Sequence, residues 1–383
     1  MIASPFHQNP EMTLGRKFLQ INWGLVFLIV LLAGVGCVML YSAANGSMEP
    51  WAARQAIRFG GGMVIMLTIA VIDVRFLFRW TWLIYLGALG LLAAVEVMGS
   101  IGMGAQRWID LYFMRLQPSE LMKVAVILAL ARYFHGLSDE EIARPLNLVP
   151  PLLVILAPVG LVLKQPDLGT AVMLSMVGGA LFFAAGVRLW KFGLVAGICA
   201  AAVPIVWQTL HSYQQQRILT FFDPSRDPLG SGYHITQSKI ALGAGGIFGK
   251  GFLQGSQSHL NFLPEKQTDF IFTMLAEEFG MVGGLGLLGL FALIFLYGLM
   301  ISLRARNHFG RLLALGLIVN FFLYVLINIA MVMGLIPVVG VPLPLISYGG
   351  TAMLAAMMSF GLLISVYVHR DVRIPRRGLD EGG

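Results

Sequence analysis

A chain of 383 residues that is 57% hydrophobic and only 12% charged, with a mean hydropathy of +0.80, is excluded from the ordinary soluble class. There, roughly a quarter of the residues are charged. The net charge of +7 does not indicate nucleic acid, because no polar, basic domain is present to form such a surface. The composition fits an all-α polytopic membrane protein, since about 20 consecutive apolar residues cross about 30 Å of hydrocarbon.

Hydropathy predicts ten transmembrane helices, at about 22–42, 56–74, 80–98, 117–135, 149–164, 169–187, 190–209, 269–301, 310–334 and 349–369. The whole of 1–383 reads as one integral membrane domain, with 210–268 a long extracytoplasmic loop between helices seven and eight. The first span is too long for a cleavable signal, and no small-residue cleavage site follows it. Cys37 and Cys199 fall inside spans and read as small core hydrophobes. Placing both termini in the cytoplasm puts fifteen of the Lys and Arg residues on inner segments and ten on outer ones, as the positive-inside rule requires.

The first outer connection, 99–116, contains "GAQRWIDL". Arg107 offers a planar fork for phosphate, and Trp108 either anchors at the interface or stacks on a sugar. "QPSELMK" opens the fourth span with Glu120 and Lys123 on one helix face. They fit a self-neutralising buried pair or the border of an outward cavity. Glu96, near the end of the third span, reads as one more buried acid. "LKQPDLGTA" brings Gln165 and Asp167, and Asp167 is either a helix cap or a site acid.

The long loop reads in parts. "DPSRDPLGSGYH" is rich in turn residues, and "HITQSKIALGAGG" forms an amphipathic helix bearing Gln237 and Lys239. Arg217 precedes them. "GAGGIFGKG" is a flexible tract whose backbone N–H groups are free to approach an anion. The loop ends at "LNFLPEKQTDFIFTMLAEEFG", where Glu265, Lys266, Asp269, Glu277 and Glu278 crowd the start of an apolar helix. Asp269 fits a capping acid or a carboxylate facing a wet pocket. Ser347 and Tyr348 in "PLISYGGTA" fit a turn or a further polar contact. These groups share the outer half of the assigned topology. A one-sided polar cavity suits chemistry on a lipid-attached substrate better than passage from face to face.

The stretches "RWIDL…LQPSELMK", "KQPDLGTA", "GSGYHITQSKIALGAGGIFGKG", "HLNFLPEKQTDFIFTMLAEEFG" and "GLIPVVGVPLPLISYGGTA" resemble the SEDS family (shape, elongation, division and sporulation), in its rod-shape branch more than its division branch. Gln267 departs from the histidine that many members carry two positions before the aspartate. The resemblance implies a peptidoglycan glycosyltransferase of the bacterial cytoplasmic membrane that polymerises lipid II during cell elongation. Its partners would be undecaprenyl-pyrophosphate-linked glycan, a class B penicillin-binding protein transpeptidase and other elongation-machine proteins. It places the family's essential acid on Asp269, its buried pair on Glu120 and Lys123, and its tryptophan on Trp108. Candidate substrate contacts are then Arg107, Trp108, Glu120, Lys123, Gln165, Asp167, Arg217, Gln237, Lys239, Glu265, Lys266 and Ser347, with a divalent cation, Mg or Mn, as an optional cofactor. The rival readings are a lipid II flippase or transporter and a non-catalytic scaffold.

Overall fold

The computed structural model describes residues 13–102, 105–111, 114–210, 212–223, 231–259 and 265–375. The chain opens with helices α1 (Leu14–Leu19), α2 (Trp23–Ala43), α3 (Ala52–Ala70) and α4 (Val74–Met98). Strands β1 (Ser100–Gly102), β2 (Ala105–Leu111) and β3 (Met114–Leu116) follow. Next come α5 (Pro118–His135), α6 (Asp139–Ala143), α7 (Val149–Lys164), α8 (Leu168–Ala184) and α9 (Leu189–Thr209). The last set is α10 (Ser212–Phe222), α11 (Ser231–Ala244), α12 (Ser256–His259), α13 (Ile271–Arg304), α14 (His308–Val332) and α15 (Gly350–Val368). Among the described residues, six helical stretches are long and apolar enough to cross a membrane: α2, α4, α7 with the turn before it, α13, α14 and α15.

Local chemistry sets the helix starts. The side chains of Asn22, Asp73, Asp167 and Asn307 accept from backbone N–H groups in the first turns of α2, α4, α8 and α14. Pro118 opens α5, where its missing N–H costs nothing. α14 is the central helix. It packs against α5, α8, α13 and α15, and 72% of its apolar window is buried, against 28% for α4 and α7. A polar residue on α14 therefore meets protein, not lipid.

Two expectations need correction. Strands β1, β2 and β3 form an antiparallel meander, so the described chain is not purely helical. The three-residue strands are too short to show an alternating pattern, and AQRWIDL in β2 does not alternate. Thr351 Oγ1 donates to the Arg115 carbonyl at 2.7 Å and ties the sheet to the start of α15. The second correction concerns "GAGGIFGKG" and the eighth span. α13 breaks at Gly280 (φ 66°, ψ −162°), which leaves backbone groups on both sides without helical partners. The glycine tract supplies them. Lys250 and Gly251 donate to the carbonyls of Glu277 and Glu278, while Met281 and Val282 donate to those of Gly246 and Ile247. A Cβ on Gly249 would lie 2.1 Å from the Glu278 carbonyl oxygen, so glycine is required there. The tract is a splint for a broken helix, not an anion cradle.

Glu277 and Glu278 serve the same break. Both are fully buried. Glu277 accepts from Lys250 Nζ and the Gln257 N–H, each at 2.9 Å, and Glu278 accepts from Ser42 Oγ on α2. Glu96 is exposed at the end of α4, contrary to the buried acid expected. Cys37 is half-buried and Cys199 exposed, both unlinked, so only Cys37 approaches the core role foreseen. In the long loop, α11 packs on α13 and α14, and the turn residues Pro224 and Pro228 lie outside the described residues.

Candidate active site

Asp269 lies in the turn that leads into α13. Its own carbonyl accepts from Asn328 Nδ2 at 3.0 Å, and the same amide nitrogen donates to the Val341 carbonyl at 2.7 Å. The carboxylate lies along the backbone of Gly340, where a Cβ would sit 3.5 Å from Asp269 Oδ2. Arg217, on α10, donates to the Val338 carbonyl at 3.3 Å. The Asp269 carboxylate thus lies where the 338–341 strap meets the 265–270 turn.

Ser347 joins the two. Its hydroxyl donates to the Thr268 carbonyl at 2.6 Å and accepts from the Leu343 N–H at 2.7 Å. Tyr348 N–H donates to the Gln267 carbonyl at 2.8 Å, and Gln55 Nε2 on α3 holds the Ser347 carbonyl at 3.0 Å. Burial, reinforced by the neighbouring Glu265 carboxylate and partly offset by Arg217, pushes the Asp269 carboxyl up to about 6. Glu265 accepts from Thr268 Oγ1 at 3.1 Å. Lys266 is buried, and that burial pulls its ammonium below the ordinary lysine range.

A second cluster lies one helical turn away along α14. Lys123 is 1% exposed and Glu120 6%, with Lys123 Nζ 2.8 Å from Glu120 Oε1. Tyr324 completes it: Lys123 donates to the Tyr324 hydroxyl, which donates to Glu120 Oε2. Glu120, Asn320, Tyr324 and Ser347 line a cavity of ≈ 40 Å³ beneath the strap. The third cluster is built on β2 and α8. Arg107 Nη2 donates to the Pro166 carbonyl at 2.6 Å, and its Nε is 3.7 Å from Asp167 Oδ2. Asp167 caps α8 through Thr170 N–H and Oγ1, at 3.2 and 2.9 Å. Gly169, two residues on, abuts Val339 of the strap.

These positions sort the expected contacts. Glu120, Lys123, Asp167 and Ser347 are buried and bonded within the framework. Gln165 is also buried, with Nε2 on the Leu92 carbonyl at 3.0 Å, and so braces α4. Arg107 and Trp108 remain partly exposed on β2, and Arg217 is exposed. On α11, Gln237 is half-buried and Lys239 exposed, with the Lys239 side chain lying over Gly334. Tyr324, Asn328 and Gln55 escaped the sequence reading. A signal for two of them exists: Asn320, Tyr324 and Asn328 recur every fourth residue along an otherwise apolar helix, marking one polar stripe.

The family described as "Cell cycle protein" (FTSW_RODA_SPOVE) matches residues 23–372. The chain is 45% identical over 354 residues to the peptidoglycan glycosyltransferase MrdB of Escherichia coli K12, covering 91% of this chain and 93% of that one. It is 31% identical to the peptidoglycan glycosyltransferase RodA of Treponema pallidum, covering 92% and 98%. It also resembles a chain of a solved structure titled "Structural coordination of polymerization and crosslinking by a peptidoglycan synthase complex", with a TM-score of 0.79, 34% identity and coverage of 91% and 98%. The crystal structure of RodA from Thermus thermophilus matches with a TM-score of 0.71, 30% identity and coverage of 92% and 98%. The polar clusters gathered around one strap, the helical scaffold and these likenesses agree: the chain belongs to the SEDS family, the FtsW/RodA/SpoVE group of cell cycle proteins.

Proposed function

We propose that the chain is a peptidoglycan glycosyltransferase that polymerises lipid II at the outer face of the bacterial cytoplasmic membrane during cell elongation. The carrying observation is Asp269, a carboxylate held up to about 6 beside Arg217 and against an open glycine backbone. An acid of that strength is largely ionised near neutral pH yet basic enough to accept a proton, the compromise general-base catalysis favours. The relatives' names as peptidoglycan glycosyltransferases support the same reading.

In this mechanism the acceptor sugar hydroxyl lies at the Asp269 carboxylate. Its oxygen bonds to the donor's anomeric carbon as the bond from that carbon to the lipid diphosphate breaks. The proton passes to Asp269, and the electron pair leaves on the diphosphate. An α-linked donor and a β-linked product make the step inverting, so one base suffices without a covalent intermediate. Arg217, Arg107 and Lys239 are the cations with exposed surface to offset the leaving-group charge. Trp108 stacks on the sugar. Gln237 and Lys266 complete the polar lining, while Glu120, Lys123, Asp167 and Ser347 hold the strap beneath it.

No three His, Cys, Asp or Glu side chains converge into a metal cage among the described residues. Glu265 supplies a hard oxygen of the kind that binds magnesium or manganese jointly with phosphate oxygens, and such an ion would add charge offset. We further infer ten membrane crossings, α2, α3, α4, α5, α7, α8, α9, α13, α14 and α15, in one integral domain with both termini cytoplasmic. Residues 210–268 then lie outside the cell membrane. A class B penicillin-binding protein is the expected partner, in keeping with the synthase-complex title of the structural relative.

The test is the purified chain in detergent with lipid II. Glycan chains and released undecaprenyl diphosphate are expected. Sided movement of lipid II across vesicles without any polymer would favour the flippase reading.

A further inference from the structure

Asn328 is fully buried near the C-terminal end of α14, in a stretch that otherwise reads as apolar. A polar side chain at that depth is costly unless it is bonded. Its carboxamide nitrogen bonds two carbonyls that come from different parts of the chain, Asp269 at 3.0 Å and Val341 at 2.7 Å. Two acceptor partners fix the amide's orientation, because only the NH₂ end can donate. Gly340, the residue before Val341, has φ 75°, and the Asp269 carboxylate rests against it. The strap is also held at Val338 by Arg217, one of the charges that tune Asp269.

We propose that Asn328 is the positioning residue for Asp269: it clamps the 269 backbone to the strap, so that the carboxylate is held over Gly340 and within the influence of Arg217. The proposal rests on the reading of Asp269 as the base. Asn328 touches no reacting atom; it acts through the backbone of the residue that does. α14 is a suitable anchor, since it also carries Tyr324 one turn away and cannot shift without disturbing the buried Glu120–Lys123 pair. The clamp therefore couples the rigid centre of the molecule to its pocket.

The clamp has a signature that a purely structural role lacks. Several charged or titratable groups face the 265–270 turn among the described residues. They are Glu265 and Lys266 on the turn itself, Arg217 on α10, and His234 on α11, whose ring is 6.2 Å from Phe270. Releasing the turn moves the Asp269 carboxylate towards water and away from Glu265, so its titration falls back towards the ordinary carboxylate range.

The experiment compares Asn328→Leu, which keeps the branched shape and removes both donors, with Asn328→Ser, which keeps one short donor, in purified full-length protein supplied with lipid II. For Asn328→Leu, kcat is expected to fall about 10- to 100-fold with KM within about threefold, and the acid limb of the rate profile to move to lower pH. Asn328→Ser should lie between it and the wild type. Thermal unfolding of both variants is followed in the same detergent. If Asn328→Leu does not fold, the serine variant alone decides, through its acid limb. Wild-type kcat and an unmoved acid limb in a folded variant would overturn the clamp. Asp269→Asn, run alongside, separates the two ideas. Should that variant polymerise normally, the assignment of the base fails; should it be inactive while both Asn328 variants match the wild type, only the clamp fails.

Discussion

Replacing Lys123 by Met removes one member of a buried charge pair and leaves the other in place. Lys123 is 1% exposed, its ammonium is 2.8 Å from Glu120, and the Tyr324 hydroxyl completes the triad. Removing one partner of such a pair costs about 3–5 kcal/mol, because the remaining charge is buried without compensation. Taking out Glu120 as well, as Glu120→Leu with Lys123→Met, removes the uncompensated charge. It leaves the Tyr324 hydroxyl unpaired, a residual cost of about 1–3 kcal/mol. Adding Tyr324→Phe should bring stability close to the wild type. The assay is thermal unfolding of the purified protein in one detergent, where about 1 kcal/mol moves the midpoint by roughly 2–4 °C in mid-sized domains. The expected order is single below double below triple. A double variant no more stable than Lys123→Met would refute the argument, since it would mean that the lost charge balance is not what destabilises the single variant.

Other consequences follow from named contacts. Gly249→Ala places a Cβ 2.1 Å from the Glu278 carbonyl oxygen at a φ of 81°, so it should detach the splint from the α13 break and cost more than about 2 kcal/mol in the same melting assay. Because the Asp269 carboxyl is raised in the folded protein, the fold binds its proton more tightly than the unfolded chain does. The resulting penalty is absent below about pH 4, grows as pH rises and is complete above about pH 6, reaching at most about 3 kcal/mol. Asp269→Asn should therefore raise the unfolding midpoint near neutral pH and leave it almost unchanged near pH 4, as paired melts at about those two values will show. Wild-type polymerisation should fall roughly tenfold between about pH 7 and pH 5 as Asp269 takes up its proton, read from initial rates on lipid II.

The long apolar runs were legible because hydropathy depends on composition over some twenty positions and tolerates error at any one. Each of the ten predicted stretches overlaps a helix for most of its length, from α2 at Trp23–Ala43 to α15 at Gly350–Val368. The small sheet was not legible, since strands of three residues carry no period. The candidate site stood out at Asp269, an acid set beside Glu265 and Lys266 where an apolar helix begins. It stood out less at Ser347 and Asp167. Their local sequences announce a turn and a cap, and both roles are indeed present, but neither sequence says that the same atoms pin the strap. Glu277 and Glu278 misled in the other direction. Buried acids suggest a wet pocket, whereas here they tie α2 and residues 250–257 to a helix break created by Gly280. Asn328 and Tyr324 were overlooked because an isolated amide or phenol within an apolar helix reads as tolerated noise. Their spacing with Asn320 was the available clue, and only the tertiary packing of α14 gives it meaning.

One quantity bears most directly on the account: the yield of glycan polymer from lipid II when residue 269 can no longer accept a proton. Purified Asp269→Asn should keep the wild-type elution profile in detergent and form polymer at a rate lower by a factor of about 10² or more. Polymer formed at the wild-type rate by that folded variant would contradict the account.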